Sequence, residues 1–195
     1  MPVDLAILKF INYIIANPAL DFFFRYIGNF RFLAVPLTIA AILLLWKGGI
    51  KARWLVLLSV VIAIIVDSSV YYLLKPLFHR PRPCHAEPAI TWLRTIAGCG
   101  GKLGFPSSHA ANSFSQAVVV GAFYKRARIY LYIYVTLVSI SRVYLGVHYP
   151  LDILGGAIYG IIISVLVLYL TKILARERVA PFFDSRPKIN STVPL

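Results

Sequence analysis

Two histidines stand in short strings whose residue types suit phosphoryl transfer. His148 is followed by Tyr149 and Pro150, which open a helix, and four residues bring the Asp152 carboxylate beneath the imidazole. A carboxylate so placed accepts one ring N–H and fixes the tautomer. It leaves the other nitrogen's lone pair toward substrate and stabilises the imidazolium that forms on attack. His148 is thereby a candidate nucleophile and Asp152 its orienting partner. His109 closes the string Pro106-Ser107-Ser108-His109, in which the proline suits the first turn of a helix. Hydroxyls, unpaired backbone N–H groups and an imidazole then gather at a helix N-terminus, where an anion is favoured. His109 is the natural general acid for a leaving oxygen in such a site.

The anion's counter-charges are also in the sequence. Lys75 ends an apolar stretch, and Arg82-Pro83 follows in a proline-stiffened segment, so a point charge and a planar fork are held near one another with little backbone freedom. Arg142, after Ser141 and one loop before His148, can address the same phosphate. Arg80 and Arg94 read instead as interfacial cations that snorkel to the membrane surface.

These strings must be positioned by membrane helices. The chain has 195 residues, 59% of them hydrophobic and 14% charged, with a mean hydropathy of +0.78, far more apolar than a soluble domain. Its net charge of +13 suits nucleic acid, anionic headgroups or an anionic substrate; the hydrophobicity excludes nucleic acid and leaves the lipid bilayer and an anionic ligand. Apolar runs at about 32–46, 54–74, 107–124, 129–146 and 150–174 predict five transmembrane helices. Residues 1–30 interrupt their apolar stretches with Asp4, Lys9, Asn12, Asn17, Asp21 and Arg25 and predict an amphipathic interfacial segment. The expected fold is an all-α polytopic bundle forming one membrane-embedded domain over 1–175, followed by a polar, irregular tail over 176–195. Asp67, inside the second span, is expected to face the bundle as a structural hydrogen-bond partner.

Lys47, Lys51 and Arg53, then Lys125, Arg126 and Arg128, then Lys172, Arg176 and Arg178 mark three cytoplasmic ends by the positive-inside rule. The 75–106 loop and the 147–149 turn then face outward. Cys84 and Cys99 lie together in that loop, and three states fit them: a disulfide, two free thiols, or a metal site with His85.

Taken together, Lys75-x6-Arg82-Pro83, Pro106-Ser107-Ser108-His109 and Ser141-Arg142-x5-His148-x3-Asp152 resemble the signature of the type 2 phosphatidic acid phosphatase superfamily. The resemblance implies a phosphohistidine on His148, oriented by Asp152. It makes His109 the acid and then the base, and Lys75, Arg82, Ser107 and Arg142 the phosphoryl ligands. It also implies that no metal or other cofactor is needed. Ser108 stands where the family has glycine, which narrows the site and adds a hydroxyl donor to it. The small bacterial members that the chain is similar to suggest an inner-membrane enzyme with its site on the periplasmic or outer side. Its substrate would be undecaprenyl pyrophosphate, phosphatidylglycerophosphate or lipid A 1-phosphate. A lipid phosphotransferase using the same phosphohistidine, and a non-catalytic lipid-phosphate binding protein, remain as alternatives. The sequence leaves the oligomeric state open.

Overall fold

A computed structural model of the chain describes residues 2–183. The described helices are α1 (Pro2–Lys9), α2 (Pro18–Ile27), α3 (Phe30–Lys47), α4 (Ile50–Ser69), the short α5 (Lys75–Phe78), α6 (Ser108–Phe123), α7 (Arg128–Tyr144), α8 (Pro150–Leu174) and α9 (Arg176–Phe183). Among these residues the nearest thing to a strand is a single antiparallel bridge between Pro81 and Leu103.

Helices occupy all five stretches read from the sequence. Three helical stretches, Pro18–Lys47, Ile50–Phe78 and Pro150–Leu174, are individually long and apolar enough to cross a membrane. Large apolar side chains such as Leu57, Ile64, Tyr72, Leu154, Ile162 and Val165 are exposed along the bundle. So wide an apolar surface would drive aggregation in water and is the expected covering of a protein dissolved in lipid.

Lipid gives helices little hydrophobic reason to associate, so close packing between small residues has to hold them together. Along α8, Gly156, Gly160 and Ser164 recur at every fourth position and are buried against α6. A methyl group on Gly156 would meet the Ser107 carbonyl oxygen at 2.4 Å, and one on Gly160 would meet the Ala111 carbonyl oxygen at 2.1 Å. Only glycine permits this approach. On the other side of α6, α4 presents Leu55, Leu58, Ile62, Val66 and Val70 to Ala111, Val119 and Phe123.

The three basic connections lie at one end of the bundle. Lys51 Nζ sits 4.6 Å from the centre of the Tyr124 ring, which ties the α3–α4 connection to the α6–α7 connection. Phe123 stacks on Phe182 of α9 at 6.2 Å. The segment from 176 therefore departs from the irregular tail expected there, because its first eight residues form α9 and bury Val179 against the bundle. The rest of that tail, 184–195, lies outside the described residues.

The N-terminal segment is amphipathic, as its sequence predicts, and it is the polar face that meets the bundle. Asp4, Leu8 and Asn12 share one face, turned into the protein, while Val3, Ile7, Phe10 and Ile14 are exposed. The physical reason is the surface it meets. The opposite end of the bundle offers cations and main-chain groups that want polar partners, described below.

Replacing Gly160 by valine should force α6 and α8 apart. The expected outcome is a loss of about 1–3 kcal/mol, read as a lowered melting temperature in detergent. Gly49→Ala is the control, since a methyl group there meets nothing within 4 Å.

Candidate active site

Each string is placed by a local device. After Ser69, α4 runs into a π-helical turn, Val70–Leu74, before Lys75. The buried register moves through Ile62, Val66 and Val70 in steps of four and then steps five to reach Lys75, which is 8% exposed. A regular helix would have turned Leu74 to that face, so the wider turn carries the lysine inward.

His79 takes a left-handed conformation (φ 46°) and ends α5. The chain then runs antiparallel to residues 102–104, with the Arg82 N–H donating to the Lys102 carbonyl at 3.0 Å and the Gly104 N–H to the Arg80 carbonyl at 2.8 Å. Arg82 is clamped by carbonyls of this same loop, Nη1 donating to Cys99 O at 2.9 Å and Nε to Leu103 O at 3.3 Å. Cys84 and Cys99 are joined in a disulfide, with Cα atoms 6.0 Å apart, which closes the loop behind the guanidinium. That bond engages both sulfurs of the Cys84, His85 and Cys99 group, the one metal-ligand cluster found among the described residues. Burial pushes the Arg82 pKa below its ordinary value, and the Asp152 charge partly offsets this.

Ser107 is the cap of α6, its Oγ accepting from the Ala110 N–H at 3.5 Å. Pro106 therefore precedes the cap instead of lying in the first turn. Ser107 is fully buried, and its N–H donates to the Asp152 main-chain carbonyl at 2.9 Å, so the start of α6 is fastened to the start of α8. Ser108 is half-buried and His109 is exposed.

His148 and Asp152 are 1% and 0% exposed. His148 Nδ1 lies 3.2 Å from Asp152 Oδ2, the same oxygen that accepts the Tyr149 N–H at 3.0 Å. Asp152 thus ties down both the imidazole and the first turn of α8. Burial pushes the His148 pKa down from 6.5 to about 4; the Asp152 hydrogen bond opposes that shift, while Arg82 and Lys75 reinforce it. The ring is neutral across the physiological range and keeps a lone pair on Nε2. Arg142 donates from Nη2 to the Gly28 carbonyl at 2.5 Å and from Nε to Ser141 Oγ at 3.3 Å. A methyl group on Gly28 would meet Ser141 Oγ and the Arg142 guanidinium, so both side-chain ends would have to shift to admit it.

The structure brings the strings together: Arg142, His148, Arg82 and Lys75 all lie within electrostatic reach of His109. It corrects the reading of Arg80 and Arg94 as snorkelling cations. Arg80 donates from Nη1 to Asp152 Oδ1 at 2.8 Å and pairs with Asp4 through Nη2. Arg94 pairs with Asp21 at 2.6 Å, while its backbone N–H and carbonyl are both bonded by Asn12. Both arginines turn inward because carboxylates from the N-terminal segment meet them. The signals available in sequence were the Arg-x-Arg spacing of Arg80 and Arg82 and the acidic residues of an otherwise apolar N-terminus. Asp67 accepts from Asn112 Nδ2 at 2.9 Å, a bridge between α4 and α6.

The helical membrane architecture and this convergence of histidines, carboxylate and cations define a membrane-embedded phosphohydrolase. Residues 53–176 match the PAP2 superfamily; the chain belongs to that superfamily, and its relatives make it a lipid phosphatase. It is 35% identical over 173 residues to a lipid A 4'-phosphatase of Porphyromonas gingivalis, covering 84% of this chain and 71% of that protein. It is 28% identical over 170 residues to the undecaprenyl-diphosphatase BcrC of Bacillus subtilis, covering 86% of this chain and 81% of that protein. Among solved structures, LpxE of Aquifex aeolicus superposes with a TM-score of 0.68 at 27% identity, covering 86% of this chain and 95% of that one.

Two measurements follow from this geometry. The His148 imidazole resonance should stay that of a neutral ring from pH 8 to pH 5 and move only near 4. Because the unfolded ring takes its proton near 6.5, the stability this group contributes is complete above 6.5 and is lost as the pH falls to about 4. Opening the disulfide by Cys84→Ser with Cys99→Ser releases the carbonyls that hold Arg82. That should lower kcat/KM roughly tenfold, equivalent to about 1.4 kcal/mol of transition-state positioning.

Proposed function

We propose that the chain hydrolyses a phosphomonoester on a lipid A-type glycolipid through a covalent phosphohistidine on His148. The observation that carries this reading is the His148 Nδ1 contact to Asp152 Oδ2 at 3.2 Å inside a fully buried site. It commits the proton to Nδ1 and leaves Nε2 as nucleophile. In the first step Nε2 bonds to phosphorus, the bond from phosphorus to the lipid oxygen breaks, and His109 gives the departing oxygen its proton. In the second, His109 takes a proton from water and the resulting hydroxide bonds to phosphorus. The phosphorus–nitrogen bond breaks, phosphate leaves, and His148 is again neutral.

Lys75, Arg82 and Arg142 hold the phosphoryl oxygens, with the Ser107 hydroxyl and the half-buried Ser108 at the start of α6 as further donors. Three fixed cations favour the charge that spreads over the equatorial oxygens in the transition state. The glycolipid assignment draws on two relatives named lipid A 4'-phosphatase, at 35% and 34% identity. The position of the phosphate on those relatives' substrate differs from the 1-phosphate suggested by the sequence. The undecaprenyl-diphosphatases among the relatives make isoprenyl pyrophosphate the second substrate to test.

In this reading α3, α4, α6, α7 and α8 all cross the membrane, within a single domain over 1–175. The basic connections gathered at one end support a cytoplasmic assignment for that end. The disulfide at the other end supports an oxidising compartment, so the site faces the periplasm or exterior of a bacterial inner membrane.

The test is phosphate release by purified protein, with chelator present, from lipid A, undecaprenyl pyrophosphate, phosphatidylglycerophosphate and phosphatidic acid. Lipid A should be turned over fastest, and His148→Ala should reduce release by roughly a thousandfold or more. A folded His148→Ala protein with substantial turnover overturns the nucleophile, and turnover that chelator abolishes overturns the metal-independent route.

A further inference from the structure

We infer that Arg80 and Asp4 form a positioning pair, through which the N-terminal helix holds Asp152, and thereby His148, in attacking geometry. This rests on the reading of His148 as nucleophile. Neither residue belongs to the phosphate-binding set, and the two lie 76 positions apart in the chain.

The Asp152 carboxylate has two oxygens with different work. Oδ2 takes His148 Nδ1 and the Tyr149 N–H, both within its own stretch of chain. Oδ1 takes Arg80 Nη1 at 2.8 Å, 72 residues away. With Oδ2 alone occupied, the carboxylate can swing about its last bond and carry the imidazole with it. The guanidinium on Oδ1 fixes the plane of the carboxylate, and so the direction of the Nδ1 bond and of the Nε2 lone pair.

Arg80 in turn must be held. Its Nη2 is paired with Asp4 Oδ2, and its guanidinium carbon lies 4.4 Å from the centre of the Tyr149 ring. Asp4 is itself pinned, since its Oδ1 accepts the Leu151 N–H at 2.9 Å. The side chains of Asp4, Arg80 and Asp152 are 2%, 14% and 0% exposed, so water competes little for any of these bonds. The circuit closes on the first turn of α8, which receives the Asp4 carboxylate at Leu151 and the Asp152 carboxylate at Tyr149.

The pair has a second, electrostatic task. An unpaired Arg80 would put a full positive charge on the carboxylate that has to stabilise the imidazolium formed on attack. Asp4 neutralises that charge. Arg80 can then orient Asp152 without cancelling its field at His148. Arginine is required because its planar fork reaches two carboxylates at once, whereas the point charge of lysine serves one well.

The experiment compares Arg80→Gln, Arg80→Lys, Asp4→Asn and the Asp4→Asn/Arg80→Gln double variant with the wild-type protein. Lipid A is the substrate, with chelator present. kcat, KM and the rate of acid-labile phosphate incorporation into His148 in a single turnover are read separately, with melting temperature alongside. Arg80→Gln should lower kcat about 10- to 100-fold, the range typical of partners that orient a functional ligand. Asp4→Asn should lower kcat about tenfold, Arg80→Lys should recover part of the Arg80→Gln loss, and the double variant should fall no further than Arg80→Gln alone. KM should change less than twofold throughout, and phosphorylation of His148 should slow in parallel with kcat, a split that loosened packing alone would not give. A folded Arg80→Gln protein with kcat within twofold of wild type overturns the pair, as does a rise in KM at constant kcat. Should Arg80→Gln fail to fold, Asp4→Asn and Arg80→Lys decide, and unchanged kcat in both overturns it. Absence of any phosphoryl-enzyme in the wild-type protein strikes the His148 reading instead, so the two failures are distinguishable.

Discussion

The closest constraint in the molecule is the approach of α6 to α8. Gly156 and Gly160 let the two backbones come so near that Ser107 and Ala111 carbonyls occupy the space a methyl group would take. The Ser107 N–H then reaches the Asp152 carbonyl at 2.9 Å. That one contact sets the His109 string against the His148 and Asp152 string. Without it, the two helix starts would have no fixed relation. Membrane helices without small residues at their interface stand farther apart, and at that spacing the acid and the nucleophile of the proposed mechanism could not share a phosphorus atom.

The rest of the site hangs on this core through polar contacts from segments that carry none of the motif residues. The loop closed by Cys84 and Cys99 presents main-chain oxygens to Arg82. The N-terminal segment supplies Gly28 to Arg142, Asp4 to Arg80, and Asn12 to the backbone of both Arg94 and Tyr144. Buried cations would be costly if left bare. Carbonyls and carboxylates from these segments supply the partners.

Much of this was legible in the residues. Spacing alone put Asp152 one turn beyond His148, and apolar runs located all five long helices, because both signals are local. What stayed hidden is what depends on partners far away in the chain. Nothing near Arg80 announces that Asp4 and Asp152 will converge on it, so a cation at a helix end reads as snorkelling. The π turn before Lys75 is invisible because Val70–Leu74 has an ordinary helical composition, and the extra residue matters only when the buried face is followed through Val66 and Val70. The polar residues of the N-terminus pointed to amphipathic helices, but which face turns inward was decided by the basic, hydrogen-bonding end of the bundle they cover. The two cysteines left three states open, and the geometry of the loop selects the disulfide.

The helices that start and end at the site are also short. α6 has 16 residues and α7 has 17, or about 24–26 Å of helix, against a hydrocarbon layer of about 30 Å. If both cross the membrane, as proposed above, one way a bilayer accommodates the mismatch is to thin, at a cost of fractions of a kcal/mol per ångström. Thinning lowers the headgroup plane toward the bundle on the side where His109 and His148 lie. In the proposed topology such thinning would bring a headgroup phosphate nearer to that end of the bundle while its acyl chains stay in the leaflet. On that topology, the length of two helices bears on how far a lipid would have to rise to reach the site.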